Sequence, residues 1–181
     1  MSRFKPVSGA VKTFVWVIRG TPLMLQLLVI YYFPGLVFHN NIWGSGEEGR
    51  FIASITAFII NYACYFSEIY RGGIEGIPRG QYEAAQVLGY SGKQTFFRII
   101  LPQVIKRIIP PVTNEVITLV KDTSLAFSLS VLEMFTVAKQ IASAETTMMP
   151  FIIAGVFYYI FNFLVAGVMA FIEKRLDYYK G

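Results

Sequence analysis

The sequence predicts an all-α polytopic integral membrane protein, and three observations support this fold class. First, 55% of its 181 residues are hydrophobic and only 15% are charged, whereas a soluble domain carries about 25% charged residues. Second, several apolar stretches approach the length of a membrane span. Third, the basic residues flank these stretches and form no block of the kind that binds nucleic acid. Ordinary soluble domains and disordered chains are therefore excluded.

A membrane span needs about 20 apolar residues to cross about 30 Å of hydrocarbon. Four approximate spans are predicted on this basis, over residues 22–38, 51–70, 103–121 and 148–172. The first span follows Thr21-Pro22, a pair suited to an N-cap hydroxyl and a proline in the first helical turn. Its far end is expected at Pro34-Gly35.

The other three spans differ in polarity. The second contains Asn61 and further polar residues, so one of its faces is expected to point into protein. The third is expected to be broken at Pro110-Pro111 and to lie against partners. Residues 124–141 are amphipathic and are expected to dip into the membrane. The fourth span is the most apolar, with Asn162 as its one strongly polar residue.

Basic residues are distributed unevenly about the predicted spans. The segment before the first span, the connection over residues 71–107 and the segment after the last span hold 13 of the 16 Lys and Arg residues. Arg50, Lys121 and Lys139 lie on the opposite side. By the positive-inside rule, both ends of the chain and the connection are predicted to be cytoplasmic.

The cytoplasmic connection holds the most specific pattern in the chain. It consists of Glu83-Ala84-Ala85, three residues, Gly89, nine residues, Ile99, one residue and Leu101-Pro102. Residues 81–88 are long enough for two helical turns, and Gly89 suits the left-handed conformation that ends helices. The pattern predicts a short cytoplasmic helix over residues 81–89.

The spacing of this pattern resembles the EAA motif of the membrane subunits of ATP-binding-cassette importers. Further segments resemble the polar amino acid permease branch of that family: Arg19-Gly20-Thr21-Pro22 with Gln26, Ser67-Glu68-Ile69, Arg71-Gly72-Gly73-Ile74, Leu101-Pro102-Gln103 and Lys121-Asp122-Thr123-Ser124-Leu125. The resemblance covers residues 16–176 and implies a type I ABC importer transmembrane-domain fold, with residues 1–181 as one permease domain. It implies a non-enzymatic subunit that translocates a polar amino acid across the cytoplasmic membrane in an ATP-driven importer.

The resemblance also implies partners. These are two ATP-binding cassette subunits, a second permease chain that is either a copy or a homologue, an extracytoplasmic amino acid binding protein and membrane lipid, with no nucleic acid. We expect the chain itself to bind no cofactor, because Gln94 follows Gly92-Lys93 where a phosphate-binding loop needs Ser or Thr for magnesium. ATP and Mg are then used by the partner ATPase. A single histidine, His39, and a single cysteine, Cys64, predict neither a metal site nor a disulfide.

The helix over residues 81–89 is expected to dock in a groove of the ATPase and to carry movement into the spans. Ala84 and Ala85 lack bulk, so two surfaces can approach closely there. Tyr82 and Leu88 are expected to be apolar anchors, and Glu83 offers a carboxylate to a partner cation. The alternative is a short surface helix with no partner. The predicted coupling residues are Gln81, Tyr82, Glu83, Ala84, Ala85, Leu88 and Gly89.

Ionisable residues at membrane depth are costly, and by default they mark a pathway or a paired interior charge. Lys121 and Asp122 match the two charges of an amino acid, although adjacent residues do not point the same way from a regular helix. A turn stabilised by its own hydrogen bonds is the alternative. Glu68 either lines the passage or pairs with Arg71 one turn on. The predicted pathway residues are Glu68, Asn114, Glu115, Lys121, Asp122, Thr123 and Ser124.

Members of the family usually begin with a further apolar span before the segment that precedes Arg19. Residues 7–18 include Lys12 and are too short to replace that span, so the usual first helix is expected to be lacking. Either the start of the sequence is placed too late, or the chain is a fragment, or this member of the family dispenses with that helix. Two rival classes are a transporter or channel that works alone and a membrane-embedded interaction or sensor protein. Neither needs a cytoplasmic docking helix, so the spacing from Glu83 to Pro102 disfavours both.

Overall fold

The structure is a computed structural model that describes residues 5–176. Arg3 and Lys180, two of the basic residues behind the predicted orientation, lie outside the described residues. Every secondary-structure element within residues 5–176 is a helix. The all-α fold class is therefore confirmed.

The described chain forms α-helices with two short helical segments of other types between them. The α-helices are α1 (Lys5–Arg19), α2 (Leu23–Phe38), α3 (Glu47–Glu75), α4 (Arg79–Val87), α5 (Gly92–Thr95), α6 (Leu101–Asp122), α7 (Met134–Glu145) and α8 (Met149–Leu176). A π-helical turn, Phe96–Ile100, precedes α6, and a 3₁₀ helix, Thr123–Leu129, follows it.

Two of these helices, α3 and α8, are long and apolar enough to cross a membrane. Two bent pairs satisfy the same criterion together. One pair is α1 and α2, with a bend of 111° between them. The other pair is the stretch over Gly92–Leu129 and α7, with a bend of 57°. By length and composition, the described residues therefore hold two spanning helices, or up to four if each bent pair forms one span.

The corner between α1 and α2 differs from the prediction. Thr21 is not the N-cap of α2; that position belongs to Pro22, which has an extended backbone and no capping side chain. The Thr21 hydroxyl instead donates a hydrogen bond to the carbonyl of Val17 at 3.0 Å. Thr21 thus bonds a carbonyl in the last turn of α1 rather than an amide in the first turn of α2.

The prolines do not end or break the helices where the sequence predicts. Helix α2 continues through Pro34 to Phe38 and ends at His39, which has a left-handed backbone with φ of 51°. Helix α6 continues through Pro110 and Pro111 without interruption. An interior proline removes a backbone hydrogen bond, and in apolar helices neighbouring groups can compensate for that loss.

The predicted amphipathic segment over residues 124–141 consists of two elements. The 3₁₀ helix ends at Ser130, whose φ of 56° turns the chain, and α7 begins at Met134. The Glu133 carboxylate caps α7 by accepting hydrogen bonds from the backbone N–H groups of Phe135 and Thr136, at 2.7 and 2.6 Å. A charged cap of this kind is stabilising at a helix N-terminus.

The chain divides into two compact units. The first comprises residues 5–65 and Leu119–Ile160, and the second comprises Phe66–Thr118 and residues 161–176. The core of the first unit is formed by Leu27, Ala57 and Leu129. The core of the second unit is formed by Ile77, Ile100 and Val104, and it supports the predicted cytoplasmic helix.

Candidate functional site

The predicted cytoplasmic helix is present as α4, and it begins and ends two residues earlier than expected. Gly89 has φ of 78°, the left-handed conformation that the sequence predicts there. Its N–H donates to the carbonyl of Gln86 at 2.9 Å, and the N–H of Tyr90 donates to the carbonyl of Ala85 at 3.0 Å. These two bonds form a Schellman motif. Gly89 therefore fixes the point at which α4 stops.

One face of α4 packs against the protein's own core. Ala85 is only 1% exposed, and Tyr82 packs against the cluster of Ile77, Ile100 and Val104. Ala85 therefore offers a partner almost no surface, whereas Tyr82 is half-buried, and the coupling role of both residues stays a prediction. Because these two residues lie three apart on the helix, they form one stripe that fastens α4 to the start of α6.

The opposite face of α4 is exposed. Gln81, Glu83 and Ala84 are exposed, and two large apolar residues, Val87 and Leu88, are 88% and 73% exposed. Leu88 is one of the predicted coupling residues and Val87 is not, although both belong to the same apolar end of the helix. An exposed pair of aliphatic residues beside a carboxylate is suited to contact with another protein.

The chain after α4 is held by a capping box at the start of α5. The Ser91 N–H donates to Gln94 Oε1 at 2.9 Å, and the Gln94 N–H donates to Ser91 Oγ at 3.4 Å. Gly92 and Lys93 therefore form a first helical turn. Thr95, which follows, is buried and donates its hydroxyl to the Ser91 carbonyl at 3.0 Å. Both ends of the loop after α4 are thus fixed by hydrogen bonds.

Glu68 pairs with Arg71 one turn on, as one of the two predicted alternatives requires. The Arg71 Nε donates to Glu68 Oε2 at 3.0 Å, and Arg71 also bonds Glu75 at 2.5 Å. The side chains of Arg71, Glu68 and Glu75 are 45%, 31% and 47% exposed, so this network resembles a surface ion pair and contributes little to stability.

The residues predicted to meet a zwitterionic solute at the end of α6 have separate surroundings. The Tyr62 hydroxyl donates to Asp122 Oδ2 at 2.8 Å, whereas Lys121 is exposed. Thr123 and Ser124 donate their hydroxyls to the carbonyls of Val120 and Lys121, at 2.7 and 2.8 Å. These bonds match the alternative of a turn stabilised by its own hydrogen bonds. Asp122 reaches Tyr62 on α3, and the Thr123 side chain is also hydrogen-bonded to Tyr158 on α8.

Asn114 and Glu115 belong to the second unit, whereas Lys121 to Ser124 belong to the first. Asn114 is exposed and Glu115 is half-buried on α6. Sequence reasoning did not identify Tyr62 as a partner of Asp122, because the two residues are 60 positions apart. A buried polar pair was also missed: Asn61 Nδ2 donates to Gln26 Oε1 at 3.0 Å.

Gln26 joins this pair to the corner between α1 and α2. Its Nε2 group donates to the carbonyl of Ile18 at 2.7 Å and lies 3.0 Å from the carbonyl of Thr21. Both Gln26 and Asn61 are buried. A buried amide is tolerated only when its polar atoms are paired, so this network fixes the corner against α3.

The family model described as "Binding-protein-dependent transport system inner membrane component" matches residues 1–178. The chain belongs to this family. It is a membrane-embedded transport subunit, or permease, and the resemblance stated from the EAA motif is confirmed. Permeases of this family work with a separate ATPase and a solute-binding protein.

Individual relatives agree with the family assignment. This permease is 38% identical to the L-cystine transport system permease protein TcyB of Bacillus subtilis, over 99% of this chain and 74% of TcyB. It is 35% identical to the glutamate/aspartate import permease protein GltK of Escherichia coli O157:H7, over 97% of this chain and 79% of GltK.

A solved structure shares the fold of this permease. It is described as the crystal structure of an amino acid ABC transporter with histidines, and it is 32% identical to the permease. The match has a TM-score of 0.84 and covers 97% of the permease and 79% of the other chain. The ABC importer fold inferred from the sequence is confirmed.

Proposed function

We propose that this permease moves a polar amino acid across the cytoplasmic membrane in an ATP-driven importer. Support for the substrate class comes from its relatives, whose names specify cystine, glutamate/aspartate and arginine. The buried Gln26–Asn61 pair and the Tyr62–Asp122 bond place polar groups inside the first unit. Polar groups at such positions are expensive in a membrane protein and are typical of a transport function.

The observation that carries the coupling proposal is the two-sided packing of α4. Its inner face is fastened to the core that includes Ile100 and Val104, and its outer face presents Glu83, Val87 and Leu88. A helix fastened on one side and free on the other can receive a partner and pass on its displacement. We assign the outer face to docking of a separate ATPase subunit.

The proposed complex contains two such ATPase subunits, a second permease chain that is a copy or a homologue, and an extracytoplasmic amino acid binding protein. The ATPases bind ATP and Mg, and this chain binds neither. Closure of the ATPases on ATP moves α4, and the shared core passes that movement to the start of α6. The permease then alternates between inward-open and outward-open states.

We place α4 and both ends of the chain on the cytoplasmic side. The described basic residues support this orientation, because Arg71 and Arg79 flank the start of α4 and Lys174 and Arg175 end α8. Lys and Arg beside spans are enriched on the cytoplasmic face. The docking face of α4 would then lie where ATP is available.

Alanine substitution at Leu88 tests the coupling proposal. Leu88→Ala removes an exposed apolar anchor, and loss of one good anchor costs at least about 1.4 kcal/mol, or about tenfold in affinity. We expect ATPase co-purification and solute-stimulated ATP hydrolysis to fall by about that factor. Binding of solute to the isolated binding protein should not change.

Leu132→Ala is the matched control, because Leu132 is 67% exposed and Leu88 is 73% exposed, but Leu132 does not belong to α4. It should leave ATPase co-purification unaltered. Equal behaviour of the two variants, at equal yield of folded permease, would remove α4 from the docking surface.

A further inference from the structure

A basic groove lies in the second unit beside the start of α6. It has a volume of about 1400 Å³, and its walls come from Ile77 and Pro78, Gln81 of α4, the π-helical turn, the first three turns of α6 and the last turns of α8. The charged residues that line it are Arg98, Lys106, Arg107, Glu173 and Lys174. With four cations and one carboxylate, the groove favours an anionic ligand.

The guanidinium of Arg107 is hydrogen-bonded to the backbone beside this groove. Its Nη1 donates to the carbonyl of Gly76 at 2.6 Å. A Cβ atom at Gly76 would lie 2.6 Å from Arg107 Cζ, so a residue larger than glycine would displace the guanidinium from this position. One of the five guanidinium N–H donors is used by the carbonyl; within residues 5–176 the others have no partner, so they can form the paired bonds that suit a phosphate.

Two more cations in the groove are exposed. Arg98 and Lys174 form no ion pair with any residue between positions 5 and 176. Long basic side chains of this kind keep their charge in water while their stems lie along apolar surface. A ligand in the groove would therefore meet one oriented guanidinium and two adaptable cations.

The groove also has apolar walls. Phe97 is 63% exposed and Ile105 is 38% exposed, although both line a concave surface. On α8, the exposed side chains of Phe171 and Ile172 immediately precede Glu173 and Lys174. This order of apolar and then charged residues is typical of the boundary between hydrocarbon and headgroups.

We propose that the basic groove binds an anionic phospholipid, with its phosphodiester at Arg107 and its acyl chains against Phe97 and Ile105. A lipid explains the mixed lining better than an acidic protein segment, because Lys174 comes from the end of a helix apolar enough to cross the membrane. Basic pockets between membrane helices at the cytoplasmic side are suited to anionic lipid headgroups. The proposal does not depend on the docking role of α4.

Lipid retention on the purified 181-residue chain tests this proposal. The chain is exchanged into vesicles of equal parts phosphatidylglycerol and phosphatidylcholine, extracted in mild detergent, and analysed by native mass spectrometry. We expect phosphatidylglycerol to be retained in preference to phosphatidylcholine. Arg107→Gln and Lys174→Gln should each lower that preference about fivefold, the equivalent of about 1 kcal/mol for one charge near the membrane.

Gly76→Ala separates geometry from charge, since it keeps every cation but forces the Arg107 guanidinium away. It should lower the preference as Arg107→Gln does. Gly72→Ala is its matched control, because no atom lies within 4 Å of a Cβ at Gly72. Lys93→Gln controls for charge, because Lys93 is exposed and does not line the groove.

Three outcomes would overturn the proposal. The first is unchanged preference for phosphatidylglycerol in Arg107→Gln and Lys174→Gln. The second is an equal loss in Lys93→Gln, which would indicate unspecific attraction to an anionic surface. The third is loss of ATPase co-purification in the groove variants with lipid retention intact, which would assign the groove to an acidic segment of that protein. Because Lys174 is exposed, we expect Lys174→Gln to fold normally, so a loss of lipid preference in this variant cannot be attributed to misfolding.

Discussion

Replacement of Gly73 by alanine tests the closest approach between α3 and α6 in the second unit. A Cβ atom at Gly73 would lie 2.3 Å from Ile108 Cγ2 and 3.3 Å from Val104 Cγ1. Favourable carbon contacts lie at about 3.5–4.0 Å, so the helices would have to separate by more than about 1 Å. Gly72 is the matched control because it is adjacent in the same helix and has no atom within 4 Å of its added Cβ.

Gly72→Ala and Gly73→Ala share one contribution to the free energy of unfolding and differ in a second. Replacing glycine by alanine in a helix gains up to about 1 kcal/mol from backbone entropy, at either position. Overpacking costs about 1–3 kcal/mol, and only Gly73→Ala incurs that cost. The difference in free energy of unfolding between the two variants should therefore be about 1–3 kcal/mol, with Gly73→Ala the less stable.

Thermal unfolding can be followed through the single cysteine. Cys64 is 4% exposed, so a thiol-reactive fluorogenic dye reports its exposure as the protein unfolds. For a chain of this size, 1 kcal/mol corresponds to about 2–4 °C. The midpoint for Gly73→Ala should then lie on the order of 2–12 °C below that for Gly72→Ala.

A second substitution identifies the contact responsible. Ile108→Ala removes the Cγ2 atom that a Cβ at Gly73 would strike. In that background, Gly73→Ala should lose most of its steric cost, and only the 3.3 Å approach to Val104 Cγ1 should separate it from Gly72→Ala. Equal midpoints for Gly72→Ala and Gly73→Ala in the original chain would refute the close approach, and so would a difference of the same size in the Ile108→Ala background.

Three further predictions concern the ends of α4 and α6 and the buried amide pair. Gly89→Val places a β-branched residue at positive φ, at a cost of about 1–2 kcal/mol, so coupled ATP hydrolysis should fall. Gly80→Val is the control and should leave ATP hydrolysis unchanged, because no atom lies within 4 Å of a Cβ at Gly80. Equal activity of the two variants would contradict a coupling role for the Schellman motif at Gly89. Tyr62→Phe removes a hydrogen bond to a charged group, worth about 1.5–3 kcal/mol, and should lower the unfolding midpoint, whereas Asp122→Asn keeps an acceptor and should cost less stability. If uptake assays show that Asp122→Asn alone abolishes transport, the carboxylate charge is needed in the pathway. Unaltered uptake by both variants would exclude the Asp122 carboxylate from the pathway. Asn61→Ala leaves the Gln26 amide short of one partner at a cost of about 1–3 kcal/mol, measurable as a lower midpoint, and no change would show that water replaces the bond.

The sequence by itself determined the class of protein and the position of its coupling helix. Scarcity of charge requires a membrane, whatever the tertiary arrangement. The turn at Gly89 also follows from local chemistry, because a residue without Cβ is the one that adopts positive φ at least cost. The fixed spacing from Glu83 to Pro102 identified the family, and no knowledge of the packing was needed for that inference.

Only the tertiary structure decided which side of each helix meets which neighbour. Helix α4 carries small and apolar residues on both faces, so its sequence pattern does not reveal that Tyr82 and Ala85 turn inward while Leu88 turns outward. Adjacent glycines are equally ambiguous: Gly73 touches α6 and Gly72 touches nothing within 4 Å of an added Cβ.

The decisive polar contacts are also products of tertiary structure. Tyr62 meets Asp122 across 60 positions, and Arg107 meets Gly76 across 31. Local propensity and periodicity act over one or two helical turns, and they contain no information about pairs so distant in the chain. Such contacts exist because the packing of apolar faces brings helices together, and the polar groups carried along must then find partners.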